Sequence, residues 1–205
     1  MLVCNKCSSN IRYLMNYCRK CGKIECQCDK LYRFDKCDVC AVYDSFMQKA
    51  ILNLKHGKGE NLVYYVADDL CRKLSENINL SDLYCVTSVP SSKNSDYDQS
   101  KFIAKVIAKR LNLKADFNLI KRTNVKRPKQ HTLSDSQRKK NVKGMYSFKN
   151  SRIDEIKGKS VLICDDVLTT GSTLNECAKI LKSNGAAQVF CCAIAVTEKS
   201  YCKNL

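Results

Sequence analysis

Two adjacent carboxylates, Asp165 and Asp166, follow the apolar run Val161, Leu162, Ile163, Cys164. After Val167 and Leu168 come five small residues, Thr169, Thr170, Gly171, Ser172 and Thr173. Small residues at a helix start let several backbone N–H groups converge on one anion, and the helix dipole adds to the attraction. The hydroxyls of Thr169, Thr170, Ser172 and Thr173 supply further donors. The two aspartates would repel a phosphate at contact distance. They can accept hydrogen bonds from sugar hydroxyls, directly or through a bound Mg2+. A site for a phosphate and a diol together is a site for a ribose 5-phosphate, with Asp165 and Asp166 nearest the chemistry. An ordinary helix cap needs one such residue, not five after an acid pair. A Walker loop is excluded, because no Gly-Lys-Ser/Thr follows.

The second chemistry-bearing set is cysteine. Of 15 cysteines, eight precede Val42, as Cys4-x2-Cys7, Cys18-x2-Cys21-Gly22, Cys26-x-Cys28 and Cys37-x2-Cys40. Two cysteines separated by two residues can wrap one tetrahedral ion while backbone N–H groups support the thiolates. Gly22 stands where a knuckle turn often needs a positive φ. This segment has too few apolar residues for a core of its own, so metal would drive its folding; zinc supplies on the order of 10–16 kcal/mol to such modules. All eight are therefore candidate ligands of structural Zn2+. They could hold two ions, paired in sequence or interleaved, or one ion with four spare thiols; the tight Cys26-x-Cys28 pair is the least regular. The two-by-two spacing suits a ribbon better than an iron–sulfur cluster. A disulfide scaffold is disfavoured by the odd, scattered remainder.

These groups need elements to hold them. The run at 161–164 reads as a strand buried on both faces. Leu174, Cys177, Ala178 and Leu181 recur at helical spacing, and Gly185 suits the residue after that helix. The unit is strand–loop–helix, with its polar residues at the carboxyl end of the strand, where open α/β sheets bind ligands. Upstream, 43–46 begins a strand or a turn, and Phe46, Ala50, Ile51 and Leu54 form a helix face. His56 reads as a solvated loop histidine. Val63, Val66, Leu70 and Leu74 mark a helix over 62–78, and 83–90 is a strand ending in a turn that leads to Ser91 and Lys93. Phe102, Ile103, Val106, Ile107 and Leu111 mark a further helix, 113–119 a short strand, and 189–196 a central parallel strand. Between these last two, a long polar loop carries Arg127, Lys129, Gln130, His131 and Arg138. Such loops in compact domains are lids or linkers, and basic side chains on one could close over a departing pyrophosphate.

The stretch ICDDVLTTGST resembles the phosphoribosyl pyrophosphate signature of the type I phosphoribosyltransferases. The resemblance implies that Asp165 and Asp166 hold the ribose hydroxyls and Thr169, Thr170, Gly171, Ser172 and Thr173 the 5-phosphate. It also implies that Ser91 and Lys93, after the 83–90 strand, face the pyrophosphate. The whole order of features resembles the ComF family of competence-associated, phosphoribosyltransferase-like proteins. That order runs from the cysteine ribbon through Leu54-Lys55-x-Gly57, Ser88-Val89-Pro90, Gln99, Lys121-Arg122-Thr123 and Arg138-x-x-Asn141-Val142 to the acid pair. The likeness covers nearly the whole chain, although only the acid-pair stretch is specific by itself. One departure is plain: the family's Arg-Gly-Phe-Asn-Gln is here Ser95, Asp96, Tyr97, Asp98, Gln99. The resemblance implies an α/β type I phosphoribosyltransferase fold, a parallel sheet flanked by helices over 42–205, behind a zinc ribbon over 1–41. It implies phosphoribosyl pyrophosphate with Mg2+ as ligand, and single-stranded DNA and DNA-uptake machinery proteins as partners in natural transformation. The alternative is an active transferase on a small-molecule acceptor in nucleotide metabolism; no residue identifies the incoming nucleophile.

Charge agrees with a polyanion partner. The formal net charge is +16, and 101–143 alone carries 14 Lys and Arg against two acids. Aromatics there are sparse, only Phe102 and Phe117, which suits tracking a phosphate backbone better than stacking bases. Arg122, Arg127, Lys129, Arg138, Lys139 and Lys140 are the candidate nucleic-acid contacts. No apolar stretch reaches the length of a membrane span, and the N-terminus lacks a signal peptide's apolar core, so a cytoplasmic protein is expected.

Overall fold

The apolar runs become strands of one parallel sheet. The computed structural model describes residues 3–26, 28, 32–91, 97–123 and 142–198. Its strands are β1 (Lys36–Val42), β2 (Leu83–Ser88), β3 (Ile120–Arg122), β4 (Tyr146–Phe148), β5 (Ser160–Leu168) and β6 (Gln188–Val196). The helices are α1 (Asn5–Ser9), α2 (Ser45–Leu54), α3 (Glu60–Asn77), α4 (Gln99–Arg110), α5 (Ile153–Ile156) and α6 (Ser172–Ser183). The main sheet has the order β1-β6-β5-β2, and β3 and β4 form a separate antiparallel pair. All three pairings of the main sheet are parallel.

Successive strand residues face opposite layers, and both layers here are apolar. Leu162, Cys164, Phe190 and Cys192 pack with Ile51, Leu70 and Ile107 of α2, α3 and α4. Val161, Ile163, Val189 and Cys191 pack with Leu174, Cys177 and Leu181 of α6 and with Tyr146 and Phe148. This two-sided cover explains why β5 and β6 read as continuous rather than alternating apolar runs.

Two short-element expectations resolve differently. The segment 43–46 neither extends a strand nor closes a free turn: β1 stops at Val42, and the Asp44 carboxylate accepts the Met47 N–H at 3.0 Å to cap α2. The strand expected over 113–119 reduces to one bridge, Ala115 to Val86, and the true strand is β3. The chain turns away because Asp116 is buried in a bidentate pair with Arg152, the closer contact being 2.6 Å.

The N-terminal segment is built into this sheet. Lys36–Val42, whose first six residues were expected to close the ribbon, pairs along β6 from Lys36↔Phe190 to Val42↔Val196. The outer edge of β1 is covered by the preceding chain: Leu14 N–H donates to Cys40 O and Val42 N–H to Arg12 O, both at 2.9 Å. Buried Lys73 of α3 ties the layers together. Its Nζ donates to Leu14 O at 2.7 Å and pairs with Asp69 at 2.9 Å. Covering an edge in this way removes an open template for aggregation. Among the described residues, no helix is long and apolar enough to cross a membrane.

Candidate functional site

β5 continues past the apolar run, through both acids, to Leu168, with Asp165 opposite Ala193 and Leu168 opposite Val196. The Asp165 Oδ1 accepts Ser100 Oγ–H from the first turn of α4 at 2.9 Å and the Asp166 N–H at 3.0 Å. Burial, and then the neighbouring Asp166 carboxylate, push the Asp165 carboxyl well above the usual range. Asp166 Oδ1 accepts the Val167 N–H at 2.7 Å. Ser100 Oγ–H and the two backbone N–H groups are all accepted by Oδ1 atoms of the acid pair.

The small-residue loop opens a helix as expected. Gly171 adopts φ 75°, a left-handed backbone that glycine accepts without strain, and α6 begins at Ser172. Thr170 Oγ1 and Ser172 Oγ are 2.8 Å apart, and the Ser172 N–H reaches Thr170 Oγ1 at 3.3 Å. The first-turn N–H groups of α6, which have no partner within the helix, therefore open beside the end of β5. Thr169 and Thr173 flank this turn.

Sequence reasoning missed one contributor. Tyr32, from the segment between the cysteines and β1, lies on the loop: a Cβ built on Gly171 would stand 3.1 Å from Tyr32 Cε1. The Tyr32 hydroxyl reaches Thr170 O at 3.5 Å, and the Arg33 N–H donates to Asn175 Oδ1 at 2.5 Å. The only signal available was an aromatic pair in a polar stretch; Tyr32 and Phe34 stack with ring centroids 4.7 Å apart.

The exit of β2 runs beside the acids, because the Val89 N–H donates to Cys164 O at 3.0 Å. Ser91 follows, and its hydroxyl donates to Asp98 Oδ2 at 2.9 Å. Asp98 also caps α4 by accepting the Lys101 N–H at 2.9 Å. Tyr97 donates to Glu60 at 2.6 Å, and Gln99 Nε2 to Ile51 O at 2.7 Å. Tyr97, Asp98 and Gln99 thus anchor α4, although the family's arginine and glycine are absent. Lys93 lies outside the described residues.

Of the eight N-terminal cysteines, the structure brings together Cys18, Cys21, Cys26 and Cys28, whose Sγ atoms all lie within 4.8 Å of one another. A tetrahedron of thiolates about 2.3 Å from zinc has edges of about 3.8 Å, and Cys18 and Cys28 stand 3.5 Å apart. The set fits Zn2+. Burial opposes ionisation of Cys18, but the backbone N–H groups of Cys21 and Lys20 hold its thiol down to about 7. Burial and hydrogen bonding with Cys26 raise Cys28. Cys4 and Cys7 pair with each other at α1, apart from this group. Cys37 and Cys40 are placed on β1, outside this group. Three positions apart on β1, they face opposite layers, and Cys40 Sγ lies 3.6 Å from Val66 O.

Of the basic candidates, Arg122 is placed on β3 with its guanidinium 5.9 Å from the Tyr146 ring centroid. Arg127, Lys129, Arg138, Lys139, Lys140 and His131 lie outside the described residues. The structure adds a stripe the sequence reading did not single out. Lys101, Lys105 and Lys109 recur at four-residue spacing along α4, with Lys105 and Lys109 exposed. The adjacent Arg110 is paired with Asp68 at 3.2 Å. His56 is exposed in the turn after α2.

Comparison with known proteins matches residues 99–203 to the family described as phosphoribosyl transferase domain. The chain is 27% identical over 201 residues to Competence protein F of Haemophilus influenzae, covering 91% of this chain and 81% of that protein. It is 35% identical over 97 residues to DNA utilization protein YhgH of Escherichia coli K12, a match spanning 46% of this chain and 40% of that protein. Among solved structures, a hypoxanthine phosphoribosyltransferase from Staphylococcus aureus aligns at 16% identity and TM-score 0.41, over 69% of this chain and 66% of that one.

Proposed function

The chain belongs to the phosphoribosyl transferase domain family and is ComF-like within it, and from that premise we propose that it binds phosphoribosyl pyrophosphate with Mg2+ while handling incoming single-stranded DNA. The observation that carries the reading is the end of β5, where an acid pair leads within five residues to a glycine-opened helix N-terminus. In this reading Asp165 and Asp166 take the ribose hydroxyls. Thr169, Thr170, Gly171, Ser172 and Thr173 take the 5-phosphate through N–H and hydroxyl donors. Ser91 and Lys93 face the pyrophosphate. Asp165 and Asp166 are also the residues that would hold the Mg2+, and a divalent charge there favours the ionised form of Asp165 that burial disfavours. Zn2+ at Cys18, Cys21, Cys26 and Cys28 is structural.

The DNA arm rests on charge. The lysine stripe of α4 and the basic segment holding Arg122, Arg127, Lys129, Arg138, Lys139 and Lys140 suit a phosphate backbone. The names of the two relatives, competence and DNA utilization, support a place in DNA uptake beside its machinery. The alternative, phosphoribosyl transfer to a small acceptor, needs strong stabilisation of departing pyrophosphate. With Ser95 and Asp96 where the family has arginine and glycine, binding is better supported than turnover.

Calorimetry tests the ligand. Phosphoribosyl pyrophosphate with Mg2+ is expected to bind the wild type, and Asp165→Asn with Asp166→Asn to abolish binding; unaltered binding by the double variant would refute the site. Single-stranded DNA affinity should fall linearly with log salt, and a flat dependence would refute the polyanion arm.

A further inference from the structure

The phosphate loop has an outer wall that lies outside the family match at 99–203. The turn after Cys21 is closed by the Gly22 N–H donating to Cys18 O at 2.7 Å. Gly22 has φ 71°, and a Cβ there would come within 2.6 Å of Leu168 Cδ2 and 2.9 Å of Cys37 Sγ. The glycine backbone between the metal-ligand candidates is therefore pressed against the last residue of β5. The other methyl of the same leucine faces the loop: Leu168 Cδ1 lies 3.6 Å from the Cβ position of Gly171. Leu168 is 1% exposed, so one fully enclosed side chain separates the cysteine turn from the loop glycine. A second contact runs in parallel. Tyr32, four residues after Cys28, covers Gly171 and reaches Thr170 O, and the next residue's N–H holds Asn175 in the first turn of α6.

We propose that the cysteine module sets the shape of the phosphate loop, so that metal binding at Cys18, Cys21, Cys26 and Cys28 and anion binding at the N-terminus of α6 are thermodynamically linked, with Tyr32 as the positioning residue. Without a metal the four thiols no longer tie the turn together, and Gly22 and Tyr32, left with their packing on the core alone, lose their fixed positions. Leu168 and Gly171 then gain room, and the first turn of α6 loses the fixed position that the reading above assigns to an anion site. Linkage is reciprocal: whatever factor metal adds to ligand affinity, ligand adds to metal affinity. The identity of the ligand rests on the reading above; the dependence of the loop on the metal does not.

The experiment uses the full chain, zinc-loaded and chelator-treated, alongside Tyr32→Ala and Tyr32→Phe. Amide hydrogen exchange is followed at 168–175, with β6 as the internal control. Calorimetry is run with phosphoribosyl pyrophosphate and Mg2+, and with inorganic phosphate. Chelation and Tyr32→Ala are each expected to speed exchange across the loop about tenfold and to weaken ligand binding by about the same factor. β6 should keep its protection. Tyr32→Phe should behave as wild type, because the ring rather than the long hydroxyl contact fills the space over Gly171. Unchanged loop exchange after chelation overturns the proposal. So does equal loss of protection in β6, which would make the metal a support of the whole fold. If loop exchange and inorganic phosphate binding both respond to chelation while the wild type binds no phosphoribosyl pyrophosphate, the linkage stands and the ligand assignment falls.

Discussion

Cys18 and Cys37 each begin a Cys-x2-Cys, yet the two pairs end in opposite environments. Around Cys18 the backbone turns. Its N–H groups aim inward, one thiol is held down to about 7, and four sulfurs gather within 4.8 Å. Around Cys37 the backbone is extended, so the same spacing sends Cys37 toward α6 and Cys40 toward α3. Burial pushes the Cys37 thiol well up. Cys164 and Cys192 stand 3.3 Å apart on neighbouring strands, and contact between the two thiols followed by burial raises Cys192 as well. Proximity of sulfurs is thus not what makes a metal site. A turn offers N–H donors and convergent side chains, whereas a strand offers neither, and its cysteines act as small apolar residues.

The largest effect should come from the turn. Elemental analysis is expected to give one zinc per wild-type chain, and Cys21→Ser is expected to lose it and to open 18–35 to proteolysis, since metal supplies on the order of 10 kcal/mol to such modules. Retention of zinc by this variant would break the comparison. Cys37→Ala and Cys40→Ala should keep the zinc and lose only about 1–2 kcal/mol in denaturant unfolding, as small core truncations do; loss of metal from either would restore them as ligands. The smallest effect concerns the charge lodged on a strand rather than in a turn. The folded-state value of Asp165 is raised, so the native state holds its proton more tightly than the unfolded chain. Its contribution therefore falls as pH climbs from the ordinary carboxyl value through the raised one. Asp165→Asn should flatten that decline and stabilise the ligand-free protein near neutral pH by about 1 kcal/mol. A pH–stability profile that keeps the wild-type slope would locate the decline elsewhere.

Much of the fold was legible. Apolar runs at 161–164 and 189–196 named the two inner strands, and the spacing of Leu174, Cys177, Ala178 and Leu181 named α6. These signals survive because a buried strand or helix face must repeat its apolar residues at the period of its own backbone. The turn chemistry of the loop was legible for the same local reason. The segment 113–119 was not, because whether an extended stretch joins a sheet depends on an available edge, and Asp116 is drawn instead to Arg152 thirty-six positions away. The place of Cys37-x2-Cys40 on β1 was not legible either, because a metal knuckle and a buried strand share that spacing.

What the sequence determined by itself was the chemistry on offer: an acid pair, a hydroxylated helix start, thiols in pairs, and a basic stretch. Each is written in neighbouring residues. What only the tertiary structure decided was which of these meet. Ser100 finds Asp165 across 65 positions, and Tyr32 finds Thr170 across 138. No local pattern encodes such contacts, because they follow from the order in which strands stack and the helices that stacking brings together.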